Sequence, residues 1–522
     1  MSQRQVARAA GFMMVAILAS RLLGFVRERA VADIFGRSAV TDAFFAAFSI
    51  PDLMYYLLVG GALSAAFIPV FTEYLAKGKE AEAWHVGSSF LNLIFLLLLG
   101  FTVLGMIFSP YLAPLVAYDF SGERLVLLIS LMRIMFPAVF FTALAGLGMG
   151  ILYSYKRFGP PALGPIIYNI AIIIATYALG RRYGVYALAA GVVCGAVGNF
   201  LTQFCAARKL NAGYRWRIDL AHPGVRKMFK LMLPSVFGLS IIQLNLLVTQ
   251  NLASALPEGS ITAFRLANRL MQLPLGVFAM AVSTAAFPTM TTQAALAELA
   301  ELKQTVSLSL RSIYYITIPA MLGLMILSEP IVRLLYQTGE FTAEDTVITA
   351  GALVFFSLAL FSQATLQIIT RVYYSFQDTI TPVKIGVITF FVNFGLNLFF
   401  LNFTNLQLHG LALAFSLSSI VNMVIAVVII RRRLGGIDGR RITVAVTKMF
   451  CAALVMSAVV LATHSYLAGR LNLELMRARA IETLVPILFG AVTYFAVTYA
   501  LKMEELHQVL NAFSRKIKHR KS

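Results

Sequence analysis

Apolar runs about twenty residues long recur from one end of the chain to the other, each about long enough to cross a bilayer as a helix. No other feature constrains the fold as strongly. In hydrocarbon every backbone N–H and C=O must be bonded within the protein, which leaves helices or closed barrels. A spanning barrel alternates polar and apolar positions over about ten residues, and no such alternation is present. Composition agrees: 522 residues that are 59% hydrophobic and 13% charged, with a mean hydropathy of +0.81, have too few polar side chains to cover a water-soluble surface. The chain reads as an all-α polytopic membrane protein.

Spans are expected over residues 6–30, 40–72, 86–109, 125–153, 162–180, 184–207, 228–252, 261–289, 305–328, 347–375, 382–402, 409–430, 442–465 and 480–501, fourteen in all. The first run lacks a small-residue cleavage pattern and leads straight into charged residues, so it is expected to stay as a helix. An even count puts both termini on one side. Of the 43 Lys and Arg residues, 28 fall in connections on that side and ten on the other; five lie within spans: Arg21, Arg133, Arg265, Arg269 and Arg371. The positive-inside rule therefore places both termini in the cytoplasm. The net charge of +20 is a topology signal, and no nucleic-acid partner is expected. Cys194, Cys205 and Cys451 have neither zinc-type nor disulfide-type spacing.

An internal repeat divides the chain. "YSYKRFGPP" (153–161) and "YSFQDTITP" (374–382) align at an offset of 221, and "GVYALA" (184–189) and "HGLALA" (409–414) share Ala-Leu-Ala at 225. Ser64 and Pro69 match Ser283 and Pro288 at 219. Six helices is an even number, so the copies enter the membrane in one orientation. That is a parallel repeat, of the kind that encloses a central site with alternating access. The expected organisation is a first six-helix lobe over 1–210, a cytoplasmic linker over 211–227 and a second lobe over 228–433. An extra helix pair over 434–502 and a basic tail over 503–522 follow.

Charges within spans are candidates for function because lipid cannot solvate them. Arg265, Arg269 and Gln272 share one face of span eight, with Pro274 placed to bend the helix behind them. An arginine fork binds phosphate or carboxylate bidentately. Arg21 and Glu28 are seven apart on one face of span one, where the acid is expected to offset the base. Asp42, opening span two, is expected to pair with Arg27 or Arg29. Arg133 and Arg371 are read as structural. Spans seven, nine, eleven and twelve have no interior Asp or Glu, so no carboxylate relay is evident there, and Asn245, Asn393 and Asn397 are read as packing groups. No nucleotide loop, metal-spaced cluster or catalytic constellation is present, and neither enzymatic activity nor a cofactor or metal is expected. These residues describe a transporter whose cavity is arginine-rich and acid-poor, suited to an anionic, phosphate-bearing cargo.

"SRLLGFVRERAVADIFGRSAVTDAFFAAFSIPDL" (20–53), "FGPPALGPIIYN" (158–169), "NRLMQLPLGVFAMAVSTAAFP" (268–288), "YQTGEFTAEDT" (336–346) and "YYSFQDTITPVKIG" (373–386) resemble the MurJ/MviN family of lipid II flippases, within the multidrug/oligosaccharidyl-lipid/polysaccharide exporter superfamily. The resemblance runs from about residue 6 to 430. It implies two lobes around a cavity, with helices thirteen and fourteen forming a groove for an undecaprenyl tail. It implies a monomer in the bacterial inner membrane that moves lipid II between leaflets. By motif match Arg21, Arg27, Arg269 and Asp42 take functional positions, with Glu28 at a commonly acidic one. Two positions depart from the family pattern: Tyr55 stands where many members carry arginine, and Gln272 where an acid is frequent. Arg265, not a typical family position, adds positive charge. The alternatives are a flippase for another polyprenyl-diphosphate glycan and a multidrug/cation antiporter of the same superfamily; acid-poor spans speak against cationic cargo.

Overall fold

The computed structural model describes residues 3–57, 66–210 and 213–506. Among them the chain is helical throughout, with no strand. By internal contacts it forms two units, Met1–Thr262 with Thr338–Thr342, and Ala263–Gln337 with Ala343–Ser522.

The first unit holds α1 (Gln3–Phe35), α2 (Ala39–Tyr55), α3 (Ile68–Ala76), α4 (Glu80–Ile107), the short α5 (Ser109–Val116), α6 (Gly122–Ser154), α7 (Gly159–Tyr183), α8 (Val185–Arg208) and α9 (Pro223–Ala253). It also takes the first turn of α10 (Ser260–Pro274). Local chemistry sets the boundaries. Ser38 caps α2 in a capping box with Thr41, and Pro160 and Pro223 stand in the first turns of α7 and α9, where a missing N–H costs nothing. The core of this unit is aromatic, built on Phe67, Phe71, Trp84 and Phe90. Trp84 keeps its indole N–H satisfied by donating to the Tyr155 hydroxyl at 2.9 Å.

The second unit holds the rest of α10, a π-helical turn (Leu275–Ala279), α11 (Met280–Ala295), α12 (Leu299–Ile326), the short α13 (Ser328–Tyr336), α14 (Ala343–Ser357), α15 (Ala359–Ser375), α16 (Ile380–Phe403), α17 (Gln407–Leu434), α18 (Gly439–Ala468) and α19 (Met476–Ala500). The regular α-helix gives way to the π turn at Pro274, where the ring removes a backbone donor. Asn393 donates to Ser418 across α16 and α17 at 3.0 Å, and Asn397 donates to Asn393 at 2.8 Å. Both asparagines are therefore engaged in packing hydrogen bonds.

Each expected span has helical residues, the second as α2 and α3 on either side of residues outside the described set. Among the described residues ten helices, with Ser260–Ala295 (α10, the π turn and α11) taken as one, are long and apolar enough to cross a membrane, and the pair α14 and α15, bent by 44°, makes an eleventh. The repeat recurs in backbone conformation. Lys156 and Gln377, 221 apart, both take φ 58° after their helices. In each case the next amide bonds back to the carbonyl five residues earlier, Arg157 to Leu152 at 2.7 Å and Asp378 to Tyr373 at 3.0 Å. Gly78 and Ala297, 219 apart, repeat the motif with φ 72° and 56°; Lys79 bonds to Tyr74 and Glu298 to Gln293. Left-handed closure of a helix end is an ordinary glycine motif; its use by Lys, Gln and Ala at matching offsets identifies it as repeat geometry.

Candidate functional site

In the first unit the candidate residues lie on α1 and α2. Arg21 is half-buried and forms no ion pair among the described residues. The expected partnership of Arg21 with Glu28 is not made. Glu28 instead accepts from Arg27 at 3.3 Å, since seven helical residues separate the Arg21 and Glu28 backbones by about 10 Å along the axis. The Arg27 guanidinium also sits 5.8 Å from the centre of the Phe48 ring, a cation–π arrangement that lowers the cost of withdrawing it from water. Arg27 and Glu28 keep side-chain exposures of only 17% and 9%.

Asp42 gives the larger correction. The expected pairing with Arg27 or Arg29 gives way to a helix cap. One carboxylate oxygen accepts the Gly259 N–H at 2.7 Å; the other accepts the Thr262 N–H at 2.8 Å and its hydroxyl at 2.7 Å. These amides open α10, and the first turn of a helix has orphan donors and a partial positive charge that favour a carboxylate. Gly259 takes φ +81°, and a Cβ there would meet the Arg37 Cγ at 2.3 Å, so the turn admits only glycine. Around it Arg37 donates to the Glu258 carbonyl at 2.6 Å, Arg124 pairs with the Glu258 carboxylate, and the Glu340 N–H donates to the Asp33 carbonyl at 3.0 Å. Sequence reasoning missed Arg37, Glu258, Gly259 and Thr262. The available signal was the Pro-Glu-Gly-Ser turn before an uncapped helix start.

In the second unit Arg265 and Arg269 lie one turn apart on α10. Both are half-buried, while Phe264, Leu266, Ala267, Leu270 and Met271 between and beside them are buried. Gln272 is exposed on the same helix and donates to Asn268 at 2.5 Å. The Tyr55 side chain lies outside the described residues. Among the described residues the two arginines read as structural form no ion pair: Arg133 donates to the Met106 carbonyl at 3.3 Å, and Arg371 lies 5.2 Å from the Phe287 ring centre.

A second buried charge cluster was not visible in the sequence. Glu482 on α19 is fully buried and accepts from Arg333 on α13 at 2.9 and 3.1 Å. Arg333 also pairs with Glu329, and the His464 Nδ1 of α18 lies 3.8 Å from Glu482. Thr483 donates to the Pro330 carbonyl at 3.1 Å. These bonds fasten α19 to α13. Among the described residues no group of three or more His, Cys, Asp or Glu is placed to hold a metal.

The family model "Lipid II flippase MurJ" matches residues 31–479. A Bdellovibrio bacteriovorus protein described as a probable lipid II flippase MurJ is 30% identical over 97% of both chains. A Burkholderia cenocepacia lipid II flippase MurJ is 32% identical over 71% of this chain and 73% of its own. Among solved structures, a lipid II flippase MurJ in an inward closed conformation aligns with a TM-score of 0.78 at 27% identity, over 94% of this chain and 99% of that one. A multidrug resistance transporter of the MATE family, of the MOP superfamily, aligns with a TM-score of 0.68 at 14% identity over 80% of this chain and 94% of its own; that likeness is one of fold. Matched along nearly its whole length, this multi-pass membrane protein belongs to the MurJ family.

Proposed function

We propose that the chain is a flippase that carries lipid II, the undecaprenyl-diphosphate-linked peptidoglycan precursor, from the inner to the outer leaflet by alternating access. It is a transporter rather than an enzyme. The observation that carries the reading is the placement of half-buried arginines on helices of a MurJ-family chain, Arg21 and Arg27 on α1 and Arg265 and Arg269 on α10. A guanidinium in a low-dielectric setting binds a diphosphate through paired N–H···O bonds, and stripping both of water strengthens the attraction. Glu28 moderates the charge of Arg27. Asp42 acts at one remove, by fixing the start of the helix that bears Arg265 and Arg269. The exposed Gln272 adds a neutral polar contact to the headgroup, and Tyr55 an aromatic one.

The two repeat copies act as the lobes that alternate, and α18 with α19 receives the polyprenyl tail on a surface rich in exposed Leu, Val and Phe. The protein works as a monomer in the bacterial inner membrane with both termini cytoplasmic, and uses no cofactor.

The test is complementation of a bacterium depleted of its own lipid II flippase. Arg269→Ala is expected to abolish rescue, while Arg133→Ala, whose guanidinium is spent on a backbone carbonyl, keeps most of it. Equal losses at matched expression would remove the distinction between cargo-binding and structural arginines.

A further inference from the structure

We propose that the segment Tyr214–Leu220, which joins α8 to α9, is a membrane-surface anchor, an extended stretch whose Trp216, Ile218 and Leu220 side chains enter the lipid headgroup layer beside α4. The sequence "YRWRIDL" alternates apolar and charged residues, and an extended chain sends alternate side chains to opposite sides. Of the charged set, Arg217 and Asp219 turn to the protein, while the Arg215 side chain is exposed. His85 of α4 bonds Arg217 through Nδ1 at 2.5 Å and Asp219 through Nε2 at 2.8 Å. Of the apolar set, the Tyr214 hydroxyl donates to Asn92 at 2.5 Å, and the other three are left outside, with Trp216 62%, Ile218 43% and Leu220 55% exposed.

Depth distinguishes a lipid surface from open water. About twenty helical residues cross the hydrocarbon core, so counting back from Ile107 at the end of α4 reaches about residue 88. The segment binds at and beyond that level. The Arg215 N–H donates to Ser88 at 3.1 Å, and Asn92 donates to the carbonyls of Arg215 and Arg217 at 3.2 and 2.8 Å. Irregular backbone at this depth must be satisfied by protein, which is what Ser88 and Asn92 do. The Trp216 ring meets Phe95 edge-on at 5.9 Å. From there its surface continues into the exposed Leu96, Leu97 and Leu99 of α4, a helix with no Asp, Glu, Lys or Arg between Ala83 and Ile107. Tryptophan is the residue that suits the boundary between hydrocarbon and water. Arg208, Lys209, Arg226 and Lys230 flank the segment, as anionic headgroups would favour. The anchor keeps the connection between α8 and α9 on the bilayer, whatever the cargo.

The chain has two tryptophans, and Trp84 is buried, so Trp216 can be read alone. Full-length Trp84→Phe protein is reconstituted into phosphatidylethanolamine/phosphatidylglycerol vesicles that contain lipids brominated near the headgroup. The anchor predicts loss of most Trp216 emission to the bromolipid and little loss to aqueous iodide. Quenching by iodide equal to or greater than that by bromolipid places Trp216 in water and overturns the proposal. The difference in emission between unmutated protein and Trp216→Phe gives the same reading without disturbing the Trp84 contact to Tyr155.

Discussion

Asp42 and Glu482 are both carboxylates withdrawn from solvent, at 4% and 0% exposure, yet they are stabilised by opposite means. Asp42 is held by the backbone amides and one hydroxyl at the start of a helix. Glu482 is held by the Arg333 guanidinium through both oxygens. The first needs a short acid at one place and a glycine at another. The second needs a full positive charge that is itself shared with Glu329. A buried acid in a membrane protein therefore does not announce a cation; a helix end serves as well.

Removing Arg333 should have the largest effect. Arg333→Ala leaves Glu482 buried without its counter-charge and is expected to lower stability in detergent by about 3–5 kcal/mol. The double variant Arg333→Ala/Glu482→Gln should recover part of that loss, and thermal unfolding of the set measures it. If the double variant is less stable than Arg333→Ala, the two side chains do not act as a pair.

Asp42→Ala should cost less, about 1–3 kcal/mol, because it orphans neutral N–H donors rather than a charge. Asp42→Asn keeps a carbonyl oxygen for Thr262 and should restore about half. A charge-paired Asp42 would instead lose as much in Asn as in Ala, so the ratio of the two melting shifts checks the capping role.

The smallest effect belongs to Glu73, exposed at the end of α3 and bonded to Lys227 at 2.6 Å and Lys77 at 2.7 Å. The Lys227 hydrogen bond leads in pulling its carboxyl down to about 2, with Lys77 second. A carboxyl lowered on folding stabilises the fold above its ordinary range and loses that contribution as pH falls. The difference in melting temperature between the unmutated protein and Glu73→Gln should thus be present at neutral pH and shrink as acid is added below about pH 4.5. A difference that does not change with pH would show that the bridge is not its source.

Much of this was legible in the sequence for simple reasons. A bilayer imposes one length on every span, so the fourteen runs stood out, and the Tyr-Ser-aromatic turns at 153 and 374 marked the repeat. The matching turns at Gly78 and Ala297 did not stand out, because the repeat keeps their φ angles and not their residues. Arg265 and Arg269 were put on one helix face by helical periodicity, and Arg269 was singled out by the family motif as well. Asp42 was misread because side-chain charges are visible in a sequence and amide donors are not. Glu482 was passed over because its partner lies 149 residues away, on a short helix between the expected spans rather than within one.

The most direct measurement is the leaflet accessibility of lipid II in cells that depend on this chain, with every other lipid II flippase deleted. Depletion of the protein is predicted to trap the precursor on the cytoplasmic side, and re-expression to return it to the outer leaflet, where an added probe labels or cleaves it. If the outer-leaflet pool persists undiminished during depletion, the protein does not flip lipid II.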